Sequence, residues 1–393
     1  MRPITQSPTD PDFVQDPYPF YDRARALGPV VYWEDYQMPC VFGFAAANAI
    51  LRDRRFGREV PQDKRQPIAA HTAPFYAIEA HSMLELEPPS HTRLRSLVLR
   101  AFTSRRINAL RPEVETLTHQ LIDAFPAGRF DLLAAFAEVI PVVIIARLLG
   151  VPESMKTELL RWSHDMVAMY QANRTRTIED AAAKASAEFA DFMRAYVDER
   201  RAKPADDLIT HLIGAEEAGE KLSTDELITT CILLLNAGHE ATVHAIGNGV
   251  KTLLQAGGPR DWLSADTLDA TIEETLRYDP PLHMFTRWAY DAVEVMGHVF
   301  QPGDEVGVML AAAARDPGTW DDPQVFLPGR PAKPHLAFGV GLHFCVGAPL
   351  ARLEMAAALP ILFDRVPGLR LAGAPQYSDR FHFHGLSRLM VET

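Results

Sequence analysis

Cysteine is scarce in this chain: Cys40, Cys231 and Cys345 are its only three among 393 residues. They are far apart and odd in number, which excludes a disulfide framework and fits a reducing compartment. Long apolar runs are lacking as well. The most apolar stretch, VIPVVIIARLLG, is broken by Pro141 and Arg147 and falls short of the ~20 residues needed to span a bilayer. The N-terminal MRPITQSPTDPDF has neither the basic-then-apolar pattern of a signal peptide nor a spanning segment. A cytoplasmic protein with no membrane association is expected. Positive charge is in deficit, and a net charge of −12 argues against general nucleic-acid affinity. Against that background the stretch 93–111 stands out, with arginines at 93, 95, 100, 105, 106 and 111.

Apolar residues make up 47% of the chain, ample for a large core, and the length alone suggests two or three domains. One stretch gathers the chemistry: residues 338–347, FGVGLHFCVG, followed by APLARLEMAAALPILF. Gly339, Gly341 and Gly347 let the backbone turn tightly and approach a flat ligand closely. The second run reads as an amphipathic helix starting just after Cys345. A cysteine there feels the positive end of the helix dipole and its orphan N–H donors, which favour thiolate. Its sulfur is a candidate metal ligand or nucleophile, set against a buried structural cysteine in a turn. Zinc is disfavoured, because only two plausible ligands lie close together and a closed site needs four.

Phe338, the glycines, His343 and Cys345, in this order, resemble the haem-binding loop of the cytochrome P-450 family. The resemblance implies a mainly α fold with a smaller β region. It implies one large domain, 1–393, around a buried haem, with 1–15 a loosely ordered segment. It makes Cys345 the axial ligand of haem iron and puts Phe338, His343 and Gly347 in the cofactor loop.

Further stretches agree with the resemblance in family order. Residues 1–60 alternate turn signals with short strands at 30–32 and 40–42. Residues 61–85, without clear periodicity, read as a mobile loop, with Phe75, Tyr76, Glu79 and His81 as candidate pocket wall. In EPPSHTRLRSLVLRAF, Ser90 is a candidate helix cap, and His91 and Arg95, four apart, share one face. Surface cations are the plain reading of that pair; the match to the family's His-Thr-Arg-x-Arg segment makes both propionate ligands. Glu274 and Arg277, three apart in a helix stopped by Pro280-Pro281, match the family's Glu-x-x-Arg. Arg330 would complete a structural network with them. HMFTRWAY reads as a strand, where Arg287 matches a third propionate cation and His283 and Phe285 are candidate pocket residues. Phe383, and more weakly His382, match the final substrate-contact turn.

Ser223-Thr224-Asp225-Glu226 is a capping box opening a run with no proline for about thirty residues. Asn236, Gly238, His239 and Glu240 interrupt its apolar middle. A glycine costs roughly 1 kcal/mol inside a helix, and a buried acid costs more unless paired. Ala237-Gly238 would open room for a ligand such as dioxygen. The stretch resembles the family's oxygen-activation motif through Ala237, Gly238 and Glu240, but the next residue is Ala241 where the family has threonine. Thr242 comes one place later, ~100° around the helix, and does not simply replace the missing hydroxyl.

What the resemblance implies is a monooxygenase that uses haem b and O2 to insert one oxygen atom into a C–H bond. Glu240 would feed protons. Leu233, Asn236, Ala237, His283, Phe285 and Phe383 suggest a small, largely apolar substrate with a polar handle. The haem unit uses up the sequence, leaving no flavin or nicotinamide domain, so a separate ferredoxin and its reductase are the expected donors, docking on the arginine-rich part 100–111 and Arg352. A monomer is expected. The alternatives are a haem-thiolate sensor or electron carrier, which has no need of Gly238 beside an acid, and a peroxide-driven peroxygenase.

Overall fold

A computed structural model describes residues 1–171, 174–217, 222–257 and 259–393. Its axis is the helix Thr224–Ala256, 33 residues long. The Ser223 hydroxyl accepts from the Glu226 amide (3.2 Å), and the Glu226 carboxylate accepts from the Ser223 amide (2.8 Å). This reciprocal cap satisfies two donors that the first turn leaves unpaired. Gly257 ends the helix at φ +78, a left-handed conformation favourable to glycine. Residues 242–253 are buried all round, so this half of the helix is core rather than amphipathic surface. It packs against Val139–Leu149, whose β-branched and leucine side chains are almost all buried, and against Arg176–Ala202 and Lys156–Val167. Apolar burial of this kind, at about 25 cal/mol per Å2, holds the helices together.

A six-stranded sheet lies to one side, in the order Arg2–Ile4, Val31–Trp33, Met38–Val41, Glu305–Met309, Met284–Ala289, Phe56–Gly57. Met284–Ala289 pairs antiparallel with Glu305–Met309, placing Arg287 opposite Val306. The sheet thus collects strands from both ends of the chain and carries Phe285 and Arg287 on one face. Among the described residues no helix is long and apolar enough to cross a membrane.

Three expectations change. The first fifteen residues, expected to be loose, contain the edge strand Arg2–Ile4, paired parallel with Val31–Trp33, and the helix Pro11–Gln15. Phe13 explains the order: its ring packs edge-on against Phe20, Trp33 and Phe381. The stretch 61–85 includes a helix, Ala73–Glu79, with Phe75 and Ile78 buried. Ser90 lies inside the first turn of Ser90–Ala101 and caps nothing. The Glu87 carbonyl already accepts from the His91 amide (3.0 Å), and Pro88 and Pro89 bring no amide needing a cap.

Candidate active site

The cysteine loop is shaped by its glycines. Gly339 and Gly341 have φ of +65 and +79, and a Cβ on Gly341 would collide with the Leu51 carbonyl. Only glycine fits there. The Cys345 amide donates to the Phe338 carbonyl (3.0 Å), closing the loop just before the helix Ala348–Arg365. Burial pushes the Cys345 thiol up; the Gly347 and Ala348 amides on the sulfur, then the Arg95 and Arg352 guanidiniums, pull it down. Burial is the larger effect, so the thiol stands above its ordinary value.

Beside the loop stand a buried cation without an anion and two adjacent imidazoles. The Arg287 guanidinium is buried and donates to the Thr286 carbonyl (2.7 Å), with no ion-pair partner among the described residues. Burial, followed by the charge of Arg58, pushes it down to about 9. His91 is buried with its Nδ1 unpartnered, its ring 4.4 Å from that of His343. Burial, then His343 and Arg95, lowers it to about 4. The His343 Nε2 meets the Glu87 carboxylate at 2.9 Å, so Nδ1 is the nitrogen left for a ligand. Arg95 reaches the carbonyl of Phe344, inside the cysteine loop (2.6 Å). A cavity of about 320 Å3 brings Arg287, Gly341 and His343 together with Arg52, Arg54 and Phe56. Glu87, Arg52 and Arg54 carry no motif that would have marked them.

Glu274 and Arg277 form a bidentate pair (2.7 and 2.8 Å); Glu274 also accepts from the Leu327 amide (2.8 Å) and Arg330 (3.4 Å). Arg277 further holds the carbonyls of Ala314 and Pro323 (2.9 and 3.0 Å). These bonds tie the helix Leu268–Tyr278 to the segment 314–330.

On the central helix, Leu233, Ala237 and Ala241 keep accessible surface at a spacing of four, with Asn236 beside them, between buried flanks. Such a stripe in the middle of a buried helix lines a cleft. Gly238 differs from expectation: its missing side chain faces Ile145, whose Cγ1 would lie 3.3 Å from a Cβ. The room it gives on that side is taken by the neighbouring helix. Thr242 is buried and its hydroxyl donates to the Gly238 carbonyl (3.2 Å), away from the Ala241 stripe.

Glu240 is buried among partners the sequence did not announce. Its Oε2 lies 3.3 Å from His164 Nε2 and 3.7 Å from His239 Nε2; its Oε1 lies 3.7 Å from His244 Nε2 and 3.5 Å from Arg380. Burial raises its pKa, but the close contacts with His164 (3.3 Å) and His244 (3.7 Å) outweigh that, holding the carboxyl well below the usual range. A Cβ on Gly385 would collide with the His244 ring, so this glycine lets the imidazole in.

The candidate pocket residues separate. The Asn236 amide contacts the Met166 sulfur (3.5 Å). Phe383 sits 6.2 Å from the His244 ring, near Glu240. Phe285 backs the cysteine loop, 3.4 Å from where a Cβ of Gly339 would be. His283 leaves the pocket set: it is fully buried, its Nδ1 bonded to the Tyr21 hydroxyl (2.8 Å) and its ring on His384 (4.3 Å). Glu79 accepts from the Tyr170 hydroxyl (2.8 Å), and burial, then Glu85, raises it to about 7. Within the expected basic patch, Arg106 pairs with Asp206, Arg111 with Glu115 and Arg352 with Glu273.

A cysteine at a helix start, flanked by the buried, anionless Arg287 and by imidazole nitrogens open to a ligand, suits a flat, metal-bearing, anionic cofactor. The chain belongs to the cytochrome P-450 family, whose model matches residues 22–256 and 265–365. It is 39% identical to cytochrome P-450 monooxygenase PikC of Streptomyces venezuelae, over 93% of this chain and 87% of that one. It is 36% identical to 6-deoxyerythronolide B hydroxylase of Saccharopolyspora erythraea, over 91% of each. A solved structure, P-450BioI in complex with hexadec-9Z-enoic acid ligated acyl carrier protein, matches at 32% identity and TM-score 0.91, over 98% of this chain and 100% of that one. The chain is therefore a haem-dependent oxidoreductase of the monooxygenase type, with the family's fold. The unpartnered His91 Nδ1, the anionless Arg287 and the glycine-shaped loop fit a haem with its two propionates.

Proposed function

We propose that this chain binds haem b through Cys345 and inserts one oxygen atom of O2 into a C–H bond of a small, largely apolar substrate. Electrons would come from a separate ferredoxin and its reductase. The arrangement that carries the reading is Cys345, with two amides on its sulfur, beside the buried, anionless Arg287 and the unpartnered Nδ1 of His91. Arg287, His91, Arg95 and the free nitrogen of His343 would hold the propionates, replacing water with charge-assisted hydrogen bonds. The bound haem supplies dioxygen activation, helped by electron donation from the thiolate.

The protein's own work is positioning, proton handling and exclusion of water. Leu233, Asn236, Ala237 and Phe383 would orient the substrate. Glu240 is an ionised acid at the edge of the accessible stripe, linked through half-exposed His164 to solvent, and would pass protons inward. With Ala241 in place of threonine and Thr242 bonded to its own helix, a substrate hydroxyl or an ordered water would complete that relay. Among the relatives, a hydroxylase of 6-deoxyerythronolide B and a P-450 in complex with a hexadecenoic acid on a carrier protein favour an oxygen-bearing apolar skeleton. Turnover under 18O2 with a ferredoxin system tests the reading: one labelled oxygen in the product is expected. Product formed only with added peroxide, and unlabelled by 18O2, would favour the peroxygenase alternative, which the missing hydroxyl at 241 supports.

A further inference from the structure

We propose that His164, His239 and Glu240 form a binding site for a divalent transition-metal ion, zinc above all, distinct from the haem site. The Oε2 of Glu240 lies 3.3 Å from His164 Nε2 and 3.7 Å from His239 Nε2, and all three ligand atoms lie within 4.8 Å of one another. In a tetrahedral zinc site with bonds of about 2.0–2.1 Å, ligand atoms stand about 3.3–3.4 Å apart. Two edges are therefore already close to that size, and the third is no longer than 4.8 Å.

His239 is the pointer to a ligand. It is 98% buried, its relative exposure being 2%, and its Nε2 has no hydrogen-bond partner. Its Nδ1 lies 3.2 Å from the Ser163 hydroxyl. A proton on Nδ1 donated to that hydroxyl turns the Nε2 lone pair toward Glu240, the second-shell device that orients metal-binding histidines.

The two carboxylate oxygens divide the surroundings. Oε1 faces His244 and the Arg380 guanidinium, whereas Oε2 faces the two candidate ligands. Glu138 adds a further negative charge felt by His164. His164 is half-exposed, which gives the ion an entry path and leaves solvent the fourth position. An ion held there ties Lys156–Val167 to the central helix and takes Glu240 out of proton delivery. That last consequence rests on the monooxygenase reading; the binding itself does not.

Calorimetric titration of the untagged haem-loaded protein with zinc chloride tests the site. The wild type should bind one equivalent saturably. His164→Gln and, independently, Ser163→Ala should each weaken binding at least about tenfold, as expected for loss of a ligand or of its orienting partner. The carbon monoxide spectrum of each variant, unchanged from wild type, would show that the haem pocket is intact. No saturable equivalent in the wild type, or equal affinity in all three proteins, would overturn the proposal. Zinc binding without loss of turnover would keep the site and count against Glu240 as the proton donor.

Discussion

At position 241 the central helix offers a methyl group where the family's motif has a hydroxyl, and the nearest hydroxyl, Thr242, is committed to the Gly238 carbonyl at 3.2 Å. Substrates lacking a polar group near the reacting carbon should therefore divert electrons to hydrogen peroxide. Ala241→Thr is expected to raise product formed per reducing equivalent several-fold for such substrates and little for hydroxylated ones. Equal coupling across a substrate set, in both proteins, would remove the idea. Glu240 is the complementary test. Glu240→Gln keeps the size but cannot cycle a proton, and turnover should fall by about 100-fold, within the span typical of general acid catalysis. Substrate affinity, read from the Soret shift, should change far less.

Within single elements much was legible. The capping box at Ser223, the Glu274–Arg277 spacing and the glycine-cysteine loop are local patterns, and local geometry follows from them directly. What could not be read comes from distant segments meeting in space. His164 reaches Glu240 from another helix, Glu87 reaches His343 across 256 positions, and Arg2–Ile4 joins a sheet completed near residue 309. No spacing encodes such pairs. His283 was misplaced for a related reason. Strand alternation gives a face but not the neighbour, and here Tyr21 and His384 occupy it. The Glu274 brace yields a stability prediction. Glu274→Ala leaves the Arg277 charge buried, with the Leu327 amide also unpaired. Breaking a buried pair costs about 3–5 kcal/mol, and the urea midpoint should drop accordingly. A change within error would show that the network carries no net stability.

Across the whole molecule, buried neutral histidines set the acid limit. His239, His382 and His384 are all pushed from 6.5 down to about 4, mainly by burial. Between those values the unfolded chain binds more protons than the folded one, so stability falls as pH drops from about 6.5 toward 4. His164, raised chiefly by its hydrogen bond to Glu240, acts in the opposite sense and offsets part of the loss. Urea midpoints measured across this window should decline, and a flat profile would contradict the burial of these rings. Electron delivery also belongs to this scale. The helix Ser104–Ala109 packs on the cysteine-loop helix, and Arg105 is exposed on it. Arg105→Glu should slow ferredoxin-driven turnover at low salt and leave it unchanged at high salt, where surface charges are screened. The most direct test of the whole account is the carbon monoxide difference spectrum of the reduced, haem-loaded protein. The account predicts the long-wavelength Soret band of thiolate-ligated iron in the wild type and its loss in Cys345→Ser. A wild type without that band, or a serine variant that keeps it, would contradict the assignment of Cys345.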